Sequence, residues 1–141
     1  MMYELGTEEV IKKTNKVIAS MKKIFLVDDS TTILLSMSAI LSKAGYETDQ
    51  AASADEGLNK LKGGLKPDLL ITDLNMPGMN GIEFIKEVRK LPNHRFMPIL
   101  FLTTESQQSK RDEAKAAGAS GWLVKPVNAE QLIATIKLVV K

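Results

Sequence analysis

Five short apolar segments recur along this chain, each separated from the next by a longer amphipathic stretch. They lie at 24–27, 48–52, 69–71, 99–102 and 121–124, the second of them weak. Helical patterns occupy the intervals near 31–44, 54–62, 81–90, 107–117 and 129–140. A strand written as an uninterrupted apolar run is buried on both faces, which is the condition of a parallel sheet covered by helices. Five strand-then-helix units in succession predict a doubly wound α/β domain. The punctuation agrees: Gly45 ends the first of these helices, Gly63-Gly64 the second, Pro92 follows the third and Gly118 closes the fourth. Asn128 is placed to cap the last helix, with Gln131 three residues on in a capping-box pattern.

Residues 1–21 stand outside this rhythm and read as an N-terminal extension, helical or flexible, ahead of a single domain over 22–141. Thr7 could cap a short helix on which Val10, Ile11, Val17 and Ile18 share a stripe. The chain's 141 residues make about one domain. A net charge of +2 with scattered basic residues disfavours nucleic acid and anionic membranes as partners. The absence of cysteine removes disulfides, thiolate metal sites and thiol nucleophiles. No apolar run approaches membrane-spanning length, and the acidic start Met1-Met2-Tyr3-Glu4 is unlike a signal peptide, so a cytoplasmic location is expected.

In an open α/β sheet, ligands bind beyond the carboxyl ends of the strands. Asp28-Asp29-Ser30 follow the first run, Asp73 the third, Thr103-Thr104-Glu105 the fourth and Lys125-Pro126 the fifth. Each group has a plain alternative reading, as a helix cap, a polar turn (73–78) or a solvated charge. Together they leave three carboxylates converging without need. Two carboxylates about 4 Å apart repel by roughly 4 kcal/mol at an effective dielectric near 20, so a cation among them is expected. Hard oxygen donors suit magnesium. His94 lies in the loop at the opposite end of the strands and reads as a surface residue. Such a set suits phosphoryl transfer: a carboxylate nucleophile, a metal and Lys125 against phosphoryl oxygens, and a Thr103 hydroxyl as donor.

At these residues the sequence resembles the bacterial response-regulator receiver domain, and within that family the chemotaxis regulators. The segments that carry the likeness are 27–30, 73–81, 102–106 and 117–126, and the resemblance spans residues 22–140. It implies a flavodoxin-like five-stranded parallel sheet in the order 2-1-3-4-5 with helices on both faces. It also implies that Asp73 is the phosphoacceptor and that Asp28, Asp29, Asp73 and the backbone carbonyl of Asn75 hold Mg2+. Thr103 and Lys125 would contact the phosphoryl group, with a cis bond before Pro126, and Thr103 and Trp122 would form the switch. Asn75 and Glu105 would set the phosphate lifetime.

Three positions depart from the usual pattern. Trp122 stands where Tyr or Phe is common, Asn80 where Asp is common, and Ile33, Leu34 and Leu35 where basic residues are frequent in motor-binding regulators. Met76 and Met79 are read as packing residues in the acceptor loop. The implied partners are a sensor histidine kinase (CheA-type) and an output protein such as a motor switch component, with the chain itself a monomer and a phosphoacceptor rather than an enzyme. Two other classes compete with this reading. A haloacid-dehalogenase-like phosphatase would need Asp-x-Asp on the first strand, where this chain has adjacent Asp28-Asp29. A flavin carrier would place its phosphate against those same acids.

Overall fold

The computed structural model describes residues 6–141, and backbone alone for 17–20. Helix α1 (Thr7–Ser20) precedes β1 (Lys23–Val27), α2 (Thr31–Lys43), β2 (Glu47–Ala51), α3 (Ala54–Lys62) and β3 (Leu69–Thr72). There follow α4 (Gly81–Lys90), a 3-10 turn (Pro92–His94), β4 (Ile99–Thr103), α5 (Gln108–Ala117), β5 (Gly121–Val124) and α6 (Ala129–Val139). The strands form one parallel sheet in the order β2-β1-β3-β4-β5, as the resemblance implied.

Successive strand residues face opposite sides of a sheet, and here both sides are apolar. Phe25, Val27, Leu70, Ile99 and Phe101 pack with Leu58, Leu61, Phe84, Ile85, Val88 and Ala114 from α3, α4 and α5. Ile24, Leu26, Leu69, Ile71, Leu100 and Leu102 pack with Leu34, Met37, Leu41, Leu132 and Ile136 from α2 and α6. This two-sided burial is why the runs carry no alternation. The weak second run forms β2, an edge strand in which only Ala51 is buried. Its charged residues are paired to neighbours, Lys23 with Glu47 at 3.6 Å and Lys60 with Asp49 at 2.9 Å, and such charges discourage further strand pairing.

The caps follow the sequence closely. Asn128 Oδ1 accepts from the Gln131 N–H at 2.7 Å. The reciprocal capping box forms at α4, where Asn80 Oδ1 accepts from Glu83 N and Glu83 Oε1 accepts from Asn80 N. In α1, Val10 and Ile11 are 46% and 52% exposed, so the predicted stripe is not packed at these two positions. The surroundings of Val17 and Ile18, and all of Met1-Met2-Tyr3-Glu4, lie outside the described residues.

At the amino ends of the strands, Arg89 replaces a carboxylate partner with carbonyls. Its Nη1 donates to His94 O at 2.8 Å and Met97 O at 2.7 Å, and its Nη2 to Gly118 O at 2.6 Å. Gly118 holds φ +111°, and a Cβ there would lie 2.8 Å from Arg89 Nε, so glycine is required twice over. Burial lowers the Arg89 pKa from its ordinary value. Reading His94 as a surface residue was incorrect: it is 4% exposed, because the turn after α4 folds its ring beneath the domain. Burial lowers its pKa below 6.5, the Lys66 charge adds to this, and the Leu61 backbone pulls the other way.

Two outcomes are expected. Arg89→Met, which strips three partly buried carbonyls of a charged donor, lowers unfolding free energy by about 2–4 kcal/mol in urea titration. Since folded His94 resists protonation, the unfolded chain binds its proton first. Stability contributed by the neutral ring is present above pH 6.5 and is lost as pH falls toward the lower folded value. Urea midpoints at pH 7.5 and 5.5 therefore differ less in His94→Gln than in the unaltered protein.

Candidate functional site

The carboxyl ends of four strands are brought level by register. Val27 pairs with Thr72, Thr72 with Phe101, and Thr103 with Val124. Backbone pairing then runs one residue further: Asp28 N donates to Ala51 O, Asp73 N to Val27 O, and Lys125 N to Thr103 O at 2.8 Å. The main chain at Asp28, Asp73 and Lys125 is thus fixed by the sheet itself, with the loops beginning only after them.

Side chains complete the arrangement. Lys125 Nζ lies 2.7 Å from Asp28 Oδ2 and 3.1 Å from Asp73 Oδ2, with its side chain only 14% exposed. The other oxygens are held by the loops: Asp28 Oδ1 accepts from Ser30 N at 2.9 Å, and Asp73 Oδ1 from Leu74 N at 2.7 Å and Asn75 N at 3.4 Å. Asp28 is buried, whereas Asp29 is exposed at the rim. One oxygen from each of Asp28, Asp29 and Asp73 falls within 4.8 Å of the others.

Burial is the largest single influence on Lys125 and lowers its pKa. The hydrogen bonds and charges of Asp28 and Asp73 together outweigh it, and the ammonium titrates above its ordinary 10.5. Three carboxylates against one ammonium leave a formal charge of −2, the charge a divalent cation neutralises. An all-oxygen donor set at a solvent-reachable rim suits Mg2+ in particular.

Thr103 is fully buried at the end of β4, and its Oγ1 accepts from Glu105 N at 3.3 Å rather than contacting the carboxylates. Glu105 O in turn accepts from Trp122 Nε1 at 3.0 Å. Trp122 is half-buried on β5 and lies 5.4 Å from the Phe101 ring, tilted by 38°. Asn75 is exposed in the loop after β3. Met76 is buried and Met79 packs against the same core, as expected of packing residues. The Lys125–Pro126 peptide bond is cis.

Two residues at the site went unassigned in the sequence. Gly81 opens α4 directly beneath Asp73: a Cβ there would lie 2.3 Å from Asp73 O and 2.7 Å from Phe101 Cε1. The signal was available, since Asn80-Gly81 closes the same loop. Arg111 on α5 has its guanidinium carbon 5.9 Å from the Trp122 ring centroid. No spacing in the sequence announces that contact, which depends on how α5 packs against β5.

Comparisons with known proteins agree with this geometry. The response regulator receiver domain family matches residues 24–137. Protein PilH of Pseudomonas aeruginosa is 34% identical over 119 residues, covering 84% of this chain and 98% of PilH. The chemotaxis protein CheY of Thermotoga maritima is 36% identical over 122 residues, covering 85% and 98%. A crystal structure of Vibrio cholerae chemotaxis protein CheY4 aligns with a TM-score of 0.82 at 47% identity, covering 85% of this chain and 99% of that one. Phosphatase and flavin-carrier readings are set aside by the family match. With its five-stranded order, its acidic cluster and these relatives, the chain belongs to the response regulator receiver domain family of two-component signalling.

Proposed function

We propose that this receiver takes a phosphoryl group on Asp73 from the phosphohistidine of a chemotaxis-type sensor histidine kinase and thereby changes its protein contacts. The observation that carries the reading is the Lys125 ammonium shared between Asp28 Oδ2 and Asp73 Oδ2. It places a fixed positive charge beside a carboxylate oxygen that reaches the rim of the site.

In the reaction, an Asp73 oxygen forms a bond to phosphorus while the bond from phosphorus to the imidazole nitrogen breaks. The electron pair returns to the departing ring, and an acyl phosphate remains on Asp73. Asp28, Asp29, Asp73 and the Asn75 carbonyl would hold Mg2+, which when bound supplies charge neutralisation for phosphoryl oxygens. Lys125 neutralises another of those oxygens. The Leu74 N–H on Asp73 Oδ1 orients the carboxylate. Thr103, now engaged by the Glu105 N–H, turns its hydroxyl to the phosphoryl group, and the loop carries this to Trp122 through the Glu105 carbonyl.

Asn75 and Glu105 flank the acyl phosphate and govern access of the hydrolytic water. A single phosphorylation per chain, without turnover of free substrates, makes the protein a switch that assists its own labelling and clearance. Its output is an altered affinity for a protein such as a motor switch component in the cytoplasm, which requires that the partner bind the two states unequally.

Asp73→Asn is expected to abolish incorporation of labelled phosphate from acetyl phosphate with Mg2+ present, and undiminished labelling would remove Asp73 from its role. Lys125→Ala deletes the cation that competes for the same carboxylates. Its Mg2+ dissociation constant, read by calorimetry, is expected to fall roughly 3- to 10-fold, while the phosphorylated variant loses the Trp122 fluorescence response.

A further inference from the structure

Arg111 is the residue at the switch whose environment is not accounted for by packing alone. Its Nε is buried and has no hydrogen-bond partner. No salt bridge among the described residues includes it. The adjacent carboxylate, Asp112, instead accepts from Gln108 Nε2 at 2.9 Å. A buried donor left unmet is costly and calls for a compensating contact. The contact present is the Trp122 ring, 5.9 Å from the guanidinium carbon, on which an arginine is favoured by the ring's negative face. A cavity of about 300 Å³ bordered by Gln108, Arg111, Lys115, Ser120 and Trp122 lies alongside and gives the guanidinium room to leave the ring.

We infer that Arg111 is a positioning residue for the switch, holding Trp122 in its resting orientation by a cation–π contact. The argument for this role follows the hydrogen bonds. With Arg111 and Phe101 both against its ring, Trp122 keeps its indole N–H on Glu105 O, and Glu105 keeps its own N–H on Thr103 Oγ1. Arg111 therefore acts on Thr103 through two intermediates without touching the carboxylates. Movement of the indole breaks the contact and leaves the buried Nε with neither ring nor acceptor until the side chain swings into the cavity. The resting state is favoured by that difference, and Arg111 sets how readily the phosphorylated state is reached. This inference rests on the proposed coupling of Trp122 to Asp73, but the hold on the ring exists without any phosphate.

The test uses the full chain, whose sole tryptophan is the reporter. Arg111→Met keeps length and helix propensity while removing the charge, and Arg111→Lys restores a cation. Without a phosphate mimic, Arg111→Met is expected to raise the acrylamide quenching constant of Trp122 about twofold, with Arg111→Lys returning it toward the original value. With excess Mg2+, the beryllofluoride concentration for half-maximal fluorescence change is expected to fall about two- to fivefold in Arg111→Met, matching a cation–π contact of modest strength. Phosphate incorporation at Asp73 stays intact in both variants. Equal quenching in Arg111→Met and the original protein overturns the inference. Loss of the proposed function shows separately, as absent phosphate incorporation in the unaltered protein.

Discussion

A lysine ammonium buried between two aspartates is the contact on which the rest of this molecule depends. Without a cation, Asp28 and Asp73 would face one another across a space from which water is largely excluded, and their repulsion would push the β1 and β3 ends apart. Lys125 relieves this from β5, a strand at the far edge of the sheet from β2. The bridge therefore ties together residues 97 and 52 positions apart. Its arrangement is not saturated, since three acids face one base, and the surplus negative charge is what a divalent ion would neutralise.

The parallel sheet makes that convergence possible at low strain. All five strands point their carboxyl ends the same way, so each one delivers its next residue to a single rim. Apolar layers on both faces fix the strands, and main-chain pairing persists through Asp28, Asp73 and Lys125 before the loops start. Groups that must hold position stand on this rigid border. Asp29, Asn75 and Glu105 stand one or two residues beyond the same border, where a backbone can adjust to a ligand.

Much of this was legible in the residues. Uninterrupted apolar runs announced two-sided burial, and the acids, hydroxyl and ammonium following them announced one chemical rim. The strand order was not readable from periodicity and came only through resemblance, because pairing of β1 with β3 is a long-range choice. His94 was misread because a lone polar side chain in a loop gives no sign of being folded under a domain. Arg111 escaped notice for a related reason: on a helix with many charges, one arginine is indistinguishable until its neighbour on β5 is known. Gly81 could have been found, since its lack of a side chain admits the Asp73 carbonyl and the Phe101 ring at once.

Arg89 has a consequence for mechanics. Its three bonds gather the turn after α4, the approach to β4 and the foot of α5 under one guanidinium. The base of this half of the domain is thereby pinned, while the heads of the same elements carry the loops around Asp73 and Thr103. Any displacement of the upper loops would therefore meet a tethered end at the foot of α5, so that this helix is anchored at its base and free to adjust only at its head.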